Sequence, residues 1–372
     1  MRTHFQRPFV SAFGIAATAL SLTAAPPALA NTLSFTNYTT SNGLGDNDVN
    51  GVYASGSTIY GATEGGLSIS TNNGTSWVNR TTANGLGSNF VNAVYASGNT
   101  IYAGTGTTAQ SGGFSISTDG GSTFNNRTLA NSGLAGDAVF GVYASDGKIY
   151  AATKDGLSIS SNGGTNFTTA SGLPLTTIYG VYASGDNIYA ARASGLSIST
   201  NAGSSWTTYT TSNGLGNNIV LGVFASGNNI YAATEGGLSI SPDNGTSWVN
   251  RTFANSGLGA ANDSRTRSVY AIGSNIYVAT PEGLSISTNG GSTFTNYTQA
   301  SGLGSFNTRS VYVSNNRIYV GTLSGSSLSG GLSISNADPA PGPLPIAGAA
   351  AAFDCSRRLR RRLKLSPSRS CA

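Results

Sequence analysis

The pentapeptide Gly-Leu-Ser-Ile-Ser begins at Gly66, Gly156, Gly195, Gly237, Gly283 and Gly331, and Gly-Phe-Ser-Ile-Ser begins at Gly113. The seven copies lie 47, 43, 39, 42, 46 and 48 residues apart, the period of a four-stranded propeller blade. The first unit shows the plan. Val49 to Ala54 reads as an inner strand, Ser55-Gly56-Ser57 as a tight turn, Thr58 to Thr63 as a second strand, Leu67 to Ser70 as a third and Ser76 to Thr81 as an outer strand. Alternation of Ile or Tyr with small residues gives the period of two that strands require. Only 9% of the 372 residues are charged and 51 are Gly, which excludes long helices, whereas 38% hydrophobic residues still suffice for a core.

The seventh copy stops at Ser335-Asn336-Ala337-Asp338 without an outer strand, while Leu33 to Thr39 stands alone before the first copy and parallels Ser292 to Thr298. The expectation is an all-β, seven-bladed β-propeller of four-stranded antiparallel blades over residues 31–338, with the N-terminal strand closing the last blade. An open solenoid of the same units would leave that strand unexplained and an edge unpaired.

Six links between third and outer strands share the pattern S-x-[DN]-x-G-x-[STN]-[WF]. Their key residues are Asn72, Gly74 and Trp77; Asp119, Gly121 and Phe124; Asn162, Gly164 and Phe167; Asn201, Gly203 and Trp206; Asp243, Gly245 and Trp248; and Asn289, Gly291 and Phe294. Physically, the Asx side chain caps its own turn, Gly takes the left-handed position and the aromatic anchors the loop. The pattern resembles the Asp-box of bacterial-neuraminidase (BNR) repeats. The longer unit, with Val-Tyr-Ala-Ser-Gly, Ile-Tyr-x-Ala-Thr and Gly-Gly-Leu-Ser, is similar to two-component-regulator propeller repeats over essentially residues 33–338.

The two ends read as addresses. Arg2 and Arg7, the apolar run Phe9 to Leu22 and Ala28-Leu29-Ala30 have the order of a secretory signal peptide, residues 1–30; the run is shorter than the roughly 20 residues a membrane helix needs. Residues 339–372 carry Pro339 to Pro345, a short apolar stretch to Phe353 and the basic run Arg357 to Arg362. This order resembles a PEP-CTERM sorting signal, and the resemblance implies an exosortase-type processing peptidase as partner and delivery to the envelope surface or outside the cell. Asp354-Cys355 departs from that pattern. A basic tail that adheres weakly to anionic surfaces is the alternative.

Catalytic inventories fail. His4 lies in the leader and Cys355 and Cys371 in the tail, so the propeller segment has no imidazole or thiolate for a triad, a nucleophile or a zinc site. Between residues 31 and 338 ten Lys/Arg face thirteen Asp/Glu, too little positive charge for nucleic acid. Sialidases hold their substrate with three arginines and an early F/Y-R-I-P motif; the motif is absent, and Arg80, Arg127 and Arg251 alternate with Tyr38, Tyr209 and Tyr297 at one outer-strand position, as a solvated edge covering would. Four of the six boxes carry Asn, so no metal and no cofactor are expected.

What remains is a binding surface. Loops into the inner strands share one face with the turns between second and third strands, and sequence variation concentrates there. On that face Asp263, Arg265 and Arg267 lie in the longest loop, Arg309 in the next, and Arg192 replaces the repeat's Thr; together they are the candidate anion site. The insertions Gly104 to Gly113 and Leu323 to Gly330 read as flexible. The expected function is that of an exported, non-catalytic surface or extracellular module binding polysaccharide or protein. The alternatives are a periplasmic or lumenal assembly factor, by similarity to photosystem II assembly propellers with their S-T-D-G-G repeat, and a sialidase-like glycoside hydrolase. A sensor role is not expected, because no signalling segment follows the seventh repeat.

Overall fold

The computed structural model describes residues 33–336 except 111, 261–262 and 326–327. The segments expected to be a signal peptide, residues 1–30, and a sorting tail, residues 339–372, lie outside the described residues. The chain forms seven four-stranded antiparallel sheets. In the first blade the strands are Val49–Ser55, Thr58–Thr63, Gly66–Ser70 and Val78–Arg80. The last blade consists of Thr308–Ser314, Arg317–Thr322, Gly331–Ser335 and, from the other end of the chain, Phe35–Tyr38. Phe35 pairs with Ser335 and Tyr38 with Leu332, so the expected closure by the N-terminal strand is present. Helices among the described residues are two four-residue segments, Leu129–Ser132 and Phe253–Ser256, with four shorter 3-10 turns.

The repeated pentapeptide is a set of physical requirements. All seven of its glycines have φ between 118° and 147°, and a Cβ on Gly237 would strike the carbonyl of Arg251 in the outer strand, so only Gly fits. The Leu or Phe that follows is at most 1% exposed in every blade, each worth about 1.5–3 kcal/mol of burial. Both serines are buried and must be hydrogen-bonded. In blade one Ser68 Oγ donates to Asn79 Oδ1 (3.3 Å) and accepts from Gly45 N (2.9 Å), tying the third strand to the outer strand and to the loop into the inner strand. Ser70 Oγ donates to Asn72 Oδ1 (2.9 Å) and accepts from Gly74 N (2.9 Å), seating the turn that follows.

Those turns have the expected geometry. Asn72 Oδ1 accepts from Ser76 N (2.9 Å) and Asp119 Oδ1 from Thr123 N (3.0 Å), and Gly74 sits at φ 90°. Trp77, Phe124 and Phe167 are buried between blades, at 4–9% exposure. The outer-strand arginines are not a solvated edge. Arg127 Nε donates to Gly164 O of the next blade's turn (2.9 Å), and the Nε atoms of Arg80 and Arg251 are buried. The position lies against the neighbouring turn rather than on an open rim; Tyr38, which replaces Arg there, packs on Trp77 with ring centroids 6.0 Å apart.

At the centre the inner strands present Tyr53, Tyr95, Tyr143, Tyr182, Phe224, Tyr270 and Tyr312. Neighbouring rings stand 4.7–5.0 Å apart all the way round, from Tyr53–Tyr95 to the closing Tyr312–Tyr53 pair. This closed circle narrows the channel. Burial pushes the Tyr53 phenol up to about 12 and raises Tyr143 and Tyr312 further, each helped by neighbouring tyrosines.

Candidate functional site: the mouth of the central channel

Above the aromatic circle, on the face of the loops into the inner strands, the channel widens into a cavity of about 650 Å³. Local backbone irregularity builds its rim. In six blades the pairing of inner and second strands skips a residue, between Val49 and Gly51, Val91 and Ala93, Val139 and Gly141, Ile178 and Gly180, Val220 and Gly222, and Thr308 and Ser310. Such a bulge re-aims one side chain. The skipped residues, Asn50, Asn92, Phe140, Tyr179, Leu221 and Arg309, all line the cavity, and Arg267 completes the ring in blade six.

The ring is chemically lopsided. Blades three to five contribute Phe140, Tyr179 and Leu221, with the Phe140 and Tyr179 rings 6.3 Å apart. Arg267 and Arg309 come from blades six and seven, which puts them across the channel from Phe140. Asn50 and Asn92 lie between and are engaged in the scaffold, donating to Val91 O (3.2 Å) and Val139 O (3.0 Å) of the adjacent inner strands. Thr107 and Thr108, from the insertion in blade two, also reach the cavity.

Of the expected site residues, the structure brings Arg265, Arg267 and Arg309 to this one cavity. Asp263 belongs to it indirectly: its carboxylate grips Arg265 (Nη2–Oδ2 2.6 Å, Nε–Oδ1 3.1 Å), and that guanidinium holds the Asp263 carboxyl below the usual range. Arg267 is anchored through Nη1 to Asn307 Oδ1 (2.5 Å) and Thr308 O (3.0 Å). Burial, with the like charges of Arg309 and Arg265, draws its pKa down to about 10, so it stays cationic at neutral pH but would welcome an anion. Arg309 touches water inside the channel yet is walled in by protein, and that confinement also lowers its pKa.

Arg192 is a correction. It is 2% exposed and donates within its own blade to Ser197 Oγ (2.7 Å) and to Thr176 Oγ1 (3.1 Å). It is a structural strut, not part of the cavity. Phe140, Tyr179 and Leu221 end variable loops of the face singled out from sequence, Asp137 to Phe140, Leu175 to Tyr179 and Asn217 to Leu221, but were not among the expected site residues; for the cationic side a repeated signal was present, as Thr-Arg-Ser-Val-Tyr occurs at Thr266 and again at Thr308. Both threonines are fully buried and bridge to the preceding blade, Thr266 Oγ1 to Gly237 O (2.9 Å) and Thr308 Oγ1 to Gly283 O (2.9 Å), which fixes the base of each arginine.

Comparison with known proteins places the fold. The DUF6242 β-propeller domain family matches residues 87–218. No curated protein matches the chain. Among solved structures, the extracellular domain of the hybrid two-component system BT3049 of B. thetaiotaomicron is similar at a TM-score of 0.65 and 19% identity, over 82% of this chain and 42% of that one. YCF48 with a bound D1 peptide is similar at 0.59 and 15% identity, over 84% of this chain and 99% of that one. The GH74 enzyme of Niastella koreensis is similar at 0.57 and 19% identity, over 78% and 52%. The chain thus spans less than half of the BT3049 domain it resembles. An extracellular domain of a two-component system, a peptide-bound YCF48 and a GH74 enzyme share this scaffold, so the fold is established as a seven-bladed β-propeller and the activity must be argued from the site.

Proposed function

We propose that the protein is an exported, non-catalytic binding module of the cell surface or extracellular space, and that its ligand, a polysaccharide or protein, engages the channel mouth. The asymmetry of that cavity carries the reading: one face repeats the same serine-pinned turns, whereas the other gathers Arg265, Arg267 and Arg309 opposite Phe140 and Tyr179. Similarity to extracellular domains and the leader at residues 1–30 support export, and the tail at 339–372 supports processing by an exosortase-type peptidase. The Asp-box resemblance concerns the turns on the opposite face, which support the scaffold rather than catalysis.

Arrays of glycans and of peptides, probed with the purified protein, test the module reading, together with an assay for released reducing sugar. Binding without sugar release is expected; turnover of any glycan would overturn it. A second reading, a periplasmic or lumenal assembly factor, is favoured by the three clustered arginines and by the whole-length similarity to YCF48. Intact mass in separated host fractions distinguishes the two. A product lacking both ends, at the surface or in the medium, supports the first, and an intact C-terminus in a soluble periplasmic or lumenal pool supports the second.

A further inference from the structure

The channel mouth holds positive charge beyond what the scaffold uses. The ion pairs among the described residues are Lys154–Asp155 and Arg265–Asp263, and neither involves Arg267 or Arg309. Arg267 ties its blade to Asn307 and Thr308 of the next through Nη1 alone, and the Arg309 side chain is exposed in the cavity that both line.

We propose that this cup is a binding site for a small organic acid with an aromatic or branched apolar body, its carboxylate held by Arg309 and Arg267 and its body resting against Phe140, Tyr179 and Leu221. The inference deepens the module reading, and it rests on that reading's placement of the ligand at the channel mouth. Amphipathic walls demand an amphipathic guest: guanidinium groups take carboxylate oxygens in charge-assisted hydrogen bonds, and the rings opposite offer apolar contact. Charge balance favours one negative charge over two. Asp263 already neutralises Arg265, Glu235 lines the same cavity, and Glu64 acts on Arg309. Size follows from the channel, because the cavity meets the circle of seven aromatic rings one residue further along the inner strands. A cup narrowed at its floor accepts a whole small molecule more readily than the middle of a polymer.

Phenylacetate is the probe, with acetate, benzyl alcohol and inorganic phosphate as controls, titrated calorimetrically into the purified protein. Saturable binding of phenylacetate at least tenfold tighter than any control is expected. Arg309→Gln and Phe140→Ala should each weaken it at least tenfold, and Lys148→Gln, at the opposite end of its blade, not at all. Unchanged melting temperatures establish that the variants are folded. Absence of phenylacetate binding, binding unchanged by Arg309→Gln, or phosphate binding as tightly as phenylacetate would each overturn the proposal, the last by marking a generic anion site. The module reading fails separately: array binding that survives in Arg309→Gln and Phe140→Ala leaves the module standing without this site, whereas acid binding beside blank arrays leaves the site without the module.

Discussion

Arg192 shows how a single residue is read in its blade. In blades one, two, five, six and seven the first serine of the pentapeptide is paired with an outer-strand Asn, as Ser239 is with Asn250 (2.6 Å). Blade four has Thr208 at that position; its hydroxyl still pairs with Ser197 (2.8 Å), and Arg192 reaches in from the second strand to bond both, where an Asn side chain stands in the other blades. Substituting Arg192→Thr should therefore destabilise the protein by about 2 kcal/mol in urea denaturation, from the lost guanidinium hydrogen bonds to Ser197 and Thr176 and the vacated space. Adding Thr208→Asn should recover most of that loss by recreating the arrangement of the other blades; a double variant no more stable than the single one would show that the two positions are not coupled. Carboxylates supply a second test at this scale. Backbone and hydroxyl donors in their own turns lower the pKa of Asp119 and Asp243, and Arg265 lowers that of Asp263. Folding favours the ionised forms, so their contribution is present above about pH 4, the unfolded carboxyl value, and fades as pH falls through the lowered folded values. Denaturation midpoints measured from pH 6 downward should fall less steeply in the Asp119→Asn, Asp243→Asn double variant, since Asn serves the same turns at Asn72 and Asn162.

Between elements, the outer strand decides what the pentapeptide tolerates. A Cβ on Gly237 would meet the Arg251 carbonyl, whereas on Gly156 the nearest atom is Leu175 Cδ2 at 3.4 Å, because the outer strand of blade three is cut to Thr168–Thr169. Both glycines carry positive φ, so both Ala variants are strained, but Gly237→Ala adds a collision and should lower stability by clearly more than Gly156→Ala, which should cost on the order of 1–2 kcal/mol. Thermal melts of the two proteins make the comparison. The closing strand is the other decisive element. Removing residues up to Tyr38 would uncover the Gly331–Ser335 edge and delete the Asn37 side chain that bonds Ser333 and Gly330. Light scattering should show dimers or aggregates of the truncated chain, and a peptide of residues 33–39 supplied in excess should restore the monomer.

Closure also sets properties that belong to the whole molecule. The aromatic circle exists only when seven blades meet, and its phenols titrate above the ordinary range of tyrosine because burial penalises their ionised form. A group whose folded pKa is raised favours folding below its unfolded value, about 10, and that contribution is lost as pH rises. Spectrophotometric titration of the folded protein should show the circle tyrosines ionising only well above pH 10, together with alkaline unfolding; ordinary titration of every tyrosine near 10 would contradict the closed circle.

Repetition made this architecture legible without coordinates. Seven copies of one pentapeptide fix the number of blades, and the stray strand at Leu33 to Thr39 fixes how they close, since local propensity, strand period and turn chemistry recur in each unit and all agree. The site was legible only in part. Arg265, Arg267 and Arg309 stand out as charges in a nearly uncharged chain, but Phe140, Tyr179 and Leu221 stand out only as the ends of variable loops with no chemistry attached, and Arg192 reads as one more cation of the same face. Which side chain enters the channel depends on a one-residue bulge in six of the seven inner strands, and which residues face one another depends on the circular order of blades far apart in sequence. Neither is written in local pattern. The sequence determined the scaffold because each blade repeats the same local solution; the tertiary structure decided the site because opposing walls of one cavity come from blades three to five and six to seven, brought together only by closure of the ring.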